Sequence, residues 1–346
     1  MQEIFIHPSG QDDNLGDSAL RAGLLTAVRR ETHRFHVHLE GQSSDYLAGV
    51  PLSPRDIVYA TQREWSEALA NADRPTYLVN AGEVNPKPGH SFPGAGRVRD
   101  MRRTRANGGA VIAAGLGLKT PADAAAVTFD DTLRLAEVMS WRDRVSRDAA
   151  GFGSSAPDWA FHLGSPLSAW MDRGQRTLLA VTLRFDRPWP EDVWLAGVRA
   201  LAARIDARIV TVAQVARDAP RAVKLAEALH GDYLVAPSTR HDDLDAHVRS
   251  VYARSVAVVS DRAHALIMGA TEGAYPLGSA ADPDKIRRLL DIAGVGALTG
   301  DHAGFAARAE LFEDVLPALA ASVDSARAEL VGLAAEIQKA ISGTAD

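Results

Sequence analysis

The chain is 346 residues long, carries a formal net charge of −6, is 46% hydrophobic and contains no cysteine. That length exceeds a usual single domain, so two domains of ordinary size are expected, and the acidic balance argues against a nucleic-acid protein. The missing cysteines exclude disulfides, thiolate catalysis and cysteine-containing zinc sites, and no apolar run is long enough to cross a bilayer.

The N-terminus opens like a strand, without the basic flank and apolar core of a signal peptide, so the expected compartment is the cytoplasm. Short β-branched runs then alternate with longer amphipathic ones. Strands are expected at 3–7, 34–39, 55–60, 76–80, 110–115, 137–141 and 158–163, with helices around 16–30, 62–70, 96–107 and 130–136. Gly164-Ser165-Pro166 and Asp172-Arg173-Gly174-Gln175 interrupt this pattern and mark a domain boundary. It resumes with strands at 177–183, 207–213, 232–236, 255–260 and 274–278, separated by helices near 190–204, 217–229, 241–253, 262–271 and 282–293. Strands that alternate with helices of this length build parallel sheets, so two arrays imply two Rossmann-like α/β domains, at 1–165 and 175–304. An Ala/Glu/Leu-rich segment, 305–346, reads as one or two helices packing back across both.

Polar residues gather where strands run into helices. Arg262 and His264 follow the apolar run Ser255–Val259, at the N-terminus of a helix and beyond the carboxyl end of a strand. Such positions bind anions through free amides and the helix dipole; Arg262 adds a bidentate fork, and His264 adds a group that moves protons near neutral pH. Asn14-Leu15-Gly16-Asp17 closes the first strand-to-helix loop, where Gly16 allows close backbone approach and Asp17 serves either as a cap or in chemistry. Arg142, at another strand end, is either a second cation for an anion pocket or half of a surface pair with Asp143 or Asp148. Lys285 lies in the first turn of a helix, where a cation opposes the dipole and so has no local stabilising reason to be. Arg184 also ends a strand but has structural partners within Phe185–Trp189. His33, His36, His38 and Glu40 fall in the pattern of a half-buried strand, so no metal is expected there. No Gly-x-Gly-x-x-Gly occurs in its strand-to-helix context, so no nicotinamide or flavin cofactor is expected either.

In order and spacing these pieces resemble the polysaccharide pyruvyl transferase family. The matching segments are Asn14–Asp17, the Arg-Asp-x-x-Ser element Arg142–Ser146, the Ser-Asp-Arg-Ala-His element Ser260–His264 with Ala265-Leu266-Ile267 behind it, and Ala274-Tyr275-Pro276-Leu277 followed by Lys285. The resemblance spans residues 3 to about 298. Two positions depart from the family: Ala263 replaces a bulky aliphatic residue, and Asn80-Ala81-Gly82-Glu83 replaces a glycine cluster. The resemblance implies a GT-B-like pair of Rossmann domains with the active site in the cleft between them. It also implies transfer of pyruvate from phosphoenolpyruvate to a sugar as a cyclic ketal during cell-wall or exopolysaccharide synthesis, with no metal or organic cofactor. Arg142, Arg262 and Lys285 would bind the donor, His264 and Asp17 would be catalytic, and Asn14 and Gly16 would shape the acceptor loop. The glycosyl acceptor could be lipid-linked, drawing the protein to the inner face of the membrane. Two other functions share the pattern: a GT-B glycosyltransferase or sugar-nucleotide epimerase, for which Glu272 is the one late carboxylate, and a non-catalytic carbohydrate-binding protein.

Overall fold

The protein is described by a computed structural model covering residues 1–85 and 91–343. The first array contains strands β1 (Gln2–Ile6), β2 (His33–His38), β3 (Ile57–Tyr59), β4 (Thr76–Leu78), β5 (Gly82–Val84), β6 (Ser91–Phe92), β7 (Ala110–Leu118), β8 (Thr128–Phe129), β9 (Val138–Trp141) and β10 (Ser154–Ser155). Its helices are α1 (Leu15–Val28), α2 (Ser44–Ala48), α3 (Gln62–Asn71), α4 (Ala95–Ala106), α5 (Asp123–Ala126), α6 (Asp131–Arg134) and α7 (Arg144–Ala150). Eight of the strands form a parallel sheet in the order β10-β9-β7-β4-β1-β2-β3, with β5 added to β7, while β6 and β8 pair by themselves. Runs such as Ala110–Leu118 are apolar on both faces because helices cover both sides of the sheet.

The second array contains β11 (Leu178–Thr182), α8 (Asp192–Arg204), β12 (Arg208–Thr211), α9 (Ala219–Leu229), β13 (Asp232–Tyr233), α10 (His241–Ala253), β14 (Ser255–Ser260), α11 (Ala263–Thr271), β15 (Tyr275–Gly278) and α12 (Asp284–Asp291). Its five parallel strands run β13-β12-β11-β14-β15. Strand order reverses between β1 and β4 in the first sheet and between β11 and β14 in the second, and open α/β sheets bind ligands at such reversals. Short helices α13 (Phe305–Glu310) and α14 (Phe312–Val315) lead into α15 (Leu319–Ser342), whose Gln338 amide donates to the Val28 carbonyl at 2.7 Å. Arg327 of α15 donates to the carbonyls of Phe161, Leu163 and Ser165, so α15 straps the segment joining the two sheets.

That joining segment corrects one expectation. Residues 158–163 are not a strand: the Asp158 carboxylate accepts the Ala160 amide and winds Trp159–His162 into a 3-10 turn. The alternating Trp159 and Phe161 are buried, but against helices rather than within a sheet. α1 approaches so closely that a Cβ on Gly23 would sit 2.1 Å from the Trp159 carbonyl oxygen. Gly23→Ala is therefore expected to destabilise the protein by about 1–3 kcal/mol, the scale of core overpacking. Urea denaturation checks this, and an unchanged midpoint would show that the turn does not dock as described.

Candidate functional site: the interdomain cleft

A cleft of about 1230 Å³ separates the two sheets, lined from one side by the loops after β1 and β4 and from the other by those after β11 and β14. Asn14 caps α1 by accepting the Gly16 amide at 3.1 Å, and the Leu15 amide reaches across to the Gln214 carbonyl at 3.2 Å. Arg217 pairs with Asp13 at 2.6 Å on the same side. The loop leading into α1, whose first turn carries Asp17, is thus held by the opposite domain.

Behind the cleft wall lies Asp158, fully buried in the joining segment. Its Oδ2 is 3.3 Å from Arg142 Nη1, at the end of β9, and 3.5 Å from His264 Nε2, in the first turn of α11. Burial opposes ionisation of Asp158, yet His264, Arg142 and the Ala160 amide outweigh it and hold the carboxyl well below the usual range. Arg142 is therefore not in a surface pair with Asp143 or Asp148. Asp143 instead caps α7 through the Ser146 amide and hydroxyl, and accepts Arg288 from α12 at 3.0 Å. The Arg-Asp-x-x-Ser element thus lines the cleft through Arg142 and meets the second array through Asp143.

His264 packs its ring on Gly16, where a Cβ would fall 2.6 Å from the imidazole Nδ1. Gly16 itself is buried and gives His264 room rather than lining the cleft. Asp17 lines the cleft, accepts the Gln11 amide at 2.7 Å and pairs with Arg21 at 3.3 Å. Burial works against its charge, but Arg21, the Gln11 amide, His264 and Arg142 together keep its carboxyl below the ordinary value. Lys285, in the first turn of α12, reaches across to Glu83 of β5. Burial and then the nearby Arg142 charge lower its pKa, with Glu83 opposing them.

Arg262 lines the cleft, but its fork closes on buried Asp218 at 2.5 and 2.8 Å rather than standing open for a ligand. Beside it, burial pushes Asp261 up to about 6. Arg184 is bidentate to Asp186 and also faces the cleft. The structure thus brings Asn14, Asp17, Arg142, Arg262, His264 and Lys285 to one cleft. Sequence reasoning missed Asp158, Asp218 and Glu83, the carboxylates that hold four of them: Arg142 and His264, Arg262, and Lys285. Glu272 lies away from the cleft, bound to Arg249 at 2.9 Å and Ser165 at 2.7 Å, and so cannot be the late carboxylate of a nucleotide site there. His36 bonds Glu3 and Tyr59, and His38 approaches His7, as largely buried polar pairs across the neighbouring strands β1, β2 and β3; among the described residues no group of three or more His, Asp or Glu is placed to hold a metal ion.

No protein-family profile matches the chain, and no curated protein does either. Solved structures do. Anabaena HepE, solved in complex with UDP and glucose, has 9% identity and a TM-score of 0.56, over 99% of this chain and 100% of that one. The S. aureus MnaA–UDP structure has 11% identity and a TM-score of 0.55, over 97% and 94%. A UDP-GlcNAc 2-epimerase from Neisseria meningitidis, bound to UDP-GlcNAc, has 10% identity and a TM-score of 0.54, over 99% and 100%. At these identities the likeness defines the fold: two Rossmann-like domains facing across a cleft, the GT-B arrangement.

Two predictions follow from the buried carboxylates. Asp158→Asn should cost about 3–5 kcal/mol, the scale of breaking a buried ion pair. Since the folded carboxyl titrates below its unfolded value near 3.9, its contribution is complete above about pH 5 and is lost as the pH falls through the folded value. The variant should lack that acid-side decline in denaturant titrations; an identical pH profile would refute the assignment. Asp261 has the opposite sign: its folded pKa is raised, so stability should fall as pH rises from about 4 to about 6. Asp261→Asn should flatten that interval.

Proposed function

We propose that the cleft is the active site of a pyruvyltransferase that moves pyruvate from phosphoenolpyruvate onto a sugar as a cyclic ketal. The observation that carries this reading is the meeting of Asp17, Arg142, His264 and Lys285 around one corner of the cleft, with Asp158 behind them. Phosphoenolpyruvate carries a phosphate and a carboxylate on one carbon, so two cations within reach of a proton-moving histidine suit it. In the reaction, carbon 3 gains one proton, two sugar hydroxyls lose one each as they bond to carbon 2, and the C–O bond to phosphate breaks. The remaining proton leaves on the hydrogen phosphate. His264 is the group that delivers or accepts protons, steadied by Asp158. Asp17, kept ionised, orients an acceptor hydroxyl by accepting its hydrogen bond rather than by taking its proton. No step calls for a metal or an organic cofactor. The acceptor would be a hexose or N-acetylhexosamine of a cell-wall polymer or exopolysaccharide, and it could be lipid-linked.

A second reading is sugar-nucleotide chemistry, as in a GT-B glycosyltransferase or epimerase, and the fold comparisons favour it, since the similar structures were solved with UDP or UDP-GlcNAc. Arg184, Arg187 and half-exposed Trp189, on the loop after β11, offer cationic and aromatic surface to a nucleotide.

One assay separates the two. The protein is incubated with phosphoenolpyruvate and a panel of glycosides, and in parallel with UDP-sugars, while phosphate, UDP and product masses are followed. Phosphate release with a pyruvate ketal mass supports the first reading; UDP release or epimerised sugar supports the second. No turnover of either set leaves a carbohydrate-binding protein that has kept the fold. In the active combination His264→Gln should lower turnover per folded molecule by about 10²–10⁴ with donor affinity preserved, and it should also lower the melting temperature because buried Asp158 loses a partner. Near-normal turnover in a folded His264→Gln protein would remove His264 from the mechanism.

A further inference from the structure

The cations that face the cleft are held in two different ways. Arg142 and Arg262 are tied to Asp158 and Asp218, both fully buried, so no ligand can displace those carboxylates without opening the core. Lys285 is tied to Glu83, whose side chain is 24% exposed while that of Lys285 is 39% exposed. This pair also spans the cleft, since Glu83 stands on β5 of the first array and Lys285 on α12 of the second. The segment around Glu83 is built to stay in place. Gly82 has φ +136°, and a Cβ there would sit 2.8 Å from Arg21 Nη2, so only glycine is unstrained at that position. Asn80 accepts Arg21 Nε at 3.1 Å and donates to the Ser9 carbonyl at 2.8 Å. Arg97–Glu40 and Arg184–Asp186 are also partly exposed, but each lies within one array, so Glu83 is the fixed carboxylate presented to an exchangeable cation from across the cleft.

We propose that Glu83 is a tethered stand-in for an acidic group of the substrate, neutralising Lys285 until a carboxylate or phosphate of the ligand displaces it. This rests on the reading of Lys285 as a ligand of the donor, and it adds a selectivity device. A ligand anion that takes Lys285 also comes under the Arg142 charge, which Lys285 already feels. A compact dianion gains from both cations and competes well against one tethered carboxylate, whereas a neutral sugar gains nothing from the exchange.

The test is calorimetric titration of phosphoenolpyruvate, UDP and inorganic phosphate into the wild type, Glu83→Gln, Lys285→Met and the double variant. Glu83→Gln should bind its anion about two- to fivefold more tightly than wild type, the scale of removing a partly exposed competing ion pair. In the Lys285→Met background that gain should vanish, because the two side chains act through each other. A gain for phosphoenolpyruvate supports both the stand-in and the pyruvyl reading. A gain confined to UDP keeps the stand-in and overturns the pyruvyl reading, and a gain for inorganic phosphate alone assigns the subsite to a phosphate group. If Glu83→Gln binds none of the three more tightly, or the gain survives without Lys285, the proposal is wrong. Should melting curves show Glu83→Gln to be misfolded, Glu83→Asp, with its shorter reach, takes its place and should show a smaller gain in the same direction.

Discussion

A carboxylate without solvent, Asp158, is the constraint around which the two halves of this molecule are arranged. Taking a carboxylate out of water is costly, and the cost is recovered only where cations and amides meet it. Here Arg142 comes from the first array, His264 from the second, and the Ala160 amide from the joining segment itself. The relative placement of the two sheets, the turn that replaces an expected strand and the position of the histidine in the cleft therefore share one electrostatic origin. Gly16 and Gly23 serve the same assembly sterically, one admitting the imidazole and the other the Trp159 carbonyl.

Pairing also governs the cleft's electrostatics. Arg21, Arg97, Arg142, Arg184, Arg262 and Lys285 each face a carboxylate. Exposed Lys119 and Arg187 line the cleft as well, but an anion approaching any of the paired cations does not meet bare positive charge. It exchanges with existing partners, and the ease of exchange depends on how buried each partner is. That ordering distinguishes scaffold arginines from cations open to a ligand, although all lie at strand ends or helix starts and look alike in sequence.

The alternation of β-branched and amphipathic runs made most of the framework legible, because a doubly covered parallel strand and an amphipathic helix have different periods. α10, expected at 241–253, spans His241–Ala253, and β14, expected at 255–260, spans Ser255–Ser260. The two-residue strands β6, β8 and β10 carry no such signal, whereas β13, equally short, opens the apolar run Tyr233–Ala236 that marked it. Asp158-Trp159-Ala160-Phe161 alternates in hydrophobicity as a strand would, and only the capping reach of Asp158, set by tertiary packing, turns it. At the site, local sequence located the residues that end strands or begin helices. It could not locate their counter-ions, since Asp158 is 16 residues from Arg142, Asp218 is 44 from Arg262 and Glu83 is 202 from Lys285. Nothing in a single sequence marks such separations as contacts.

The two chemistries considered for this cleft make different demands on its halves, and the geometry bears on that difference. A sugar nucleotide needs a surface for a base and ribose beside its phosphates, which points to the loop after β11, where Arg184, Arg187 and Trp189 line the wall. Phosphoenolpyruvate needs cations near a proton donor within a few ångströms, which points to the corner where α1, β9, α11 and α12 meet. These regions are distinct parts of one cleft, and Arg262, locked on Asp218, stands between them as scaffold rather than as an open ligand. A donor in the corner would leave the β11 side free for an acceptor with its own carrier group. On the proposed reading, the cleft would then hold a compact dianion and a carrier-linked acceptor in its two parts without requiring that both be donors.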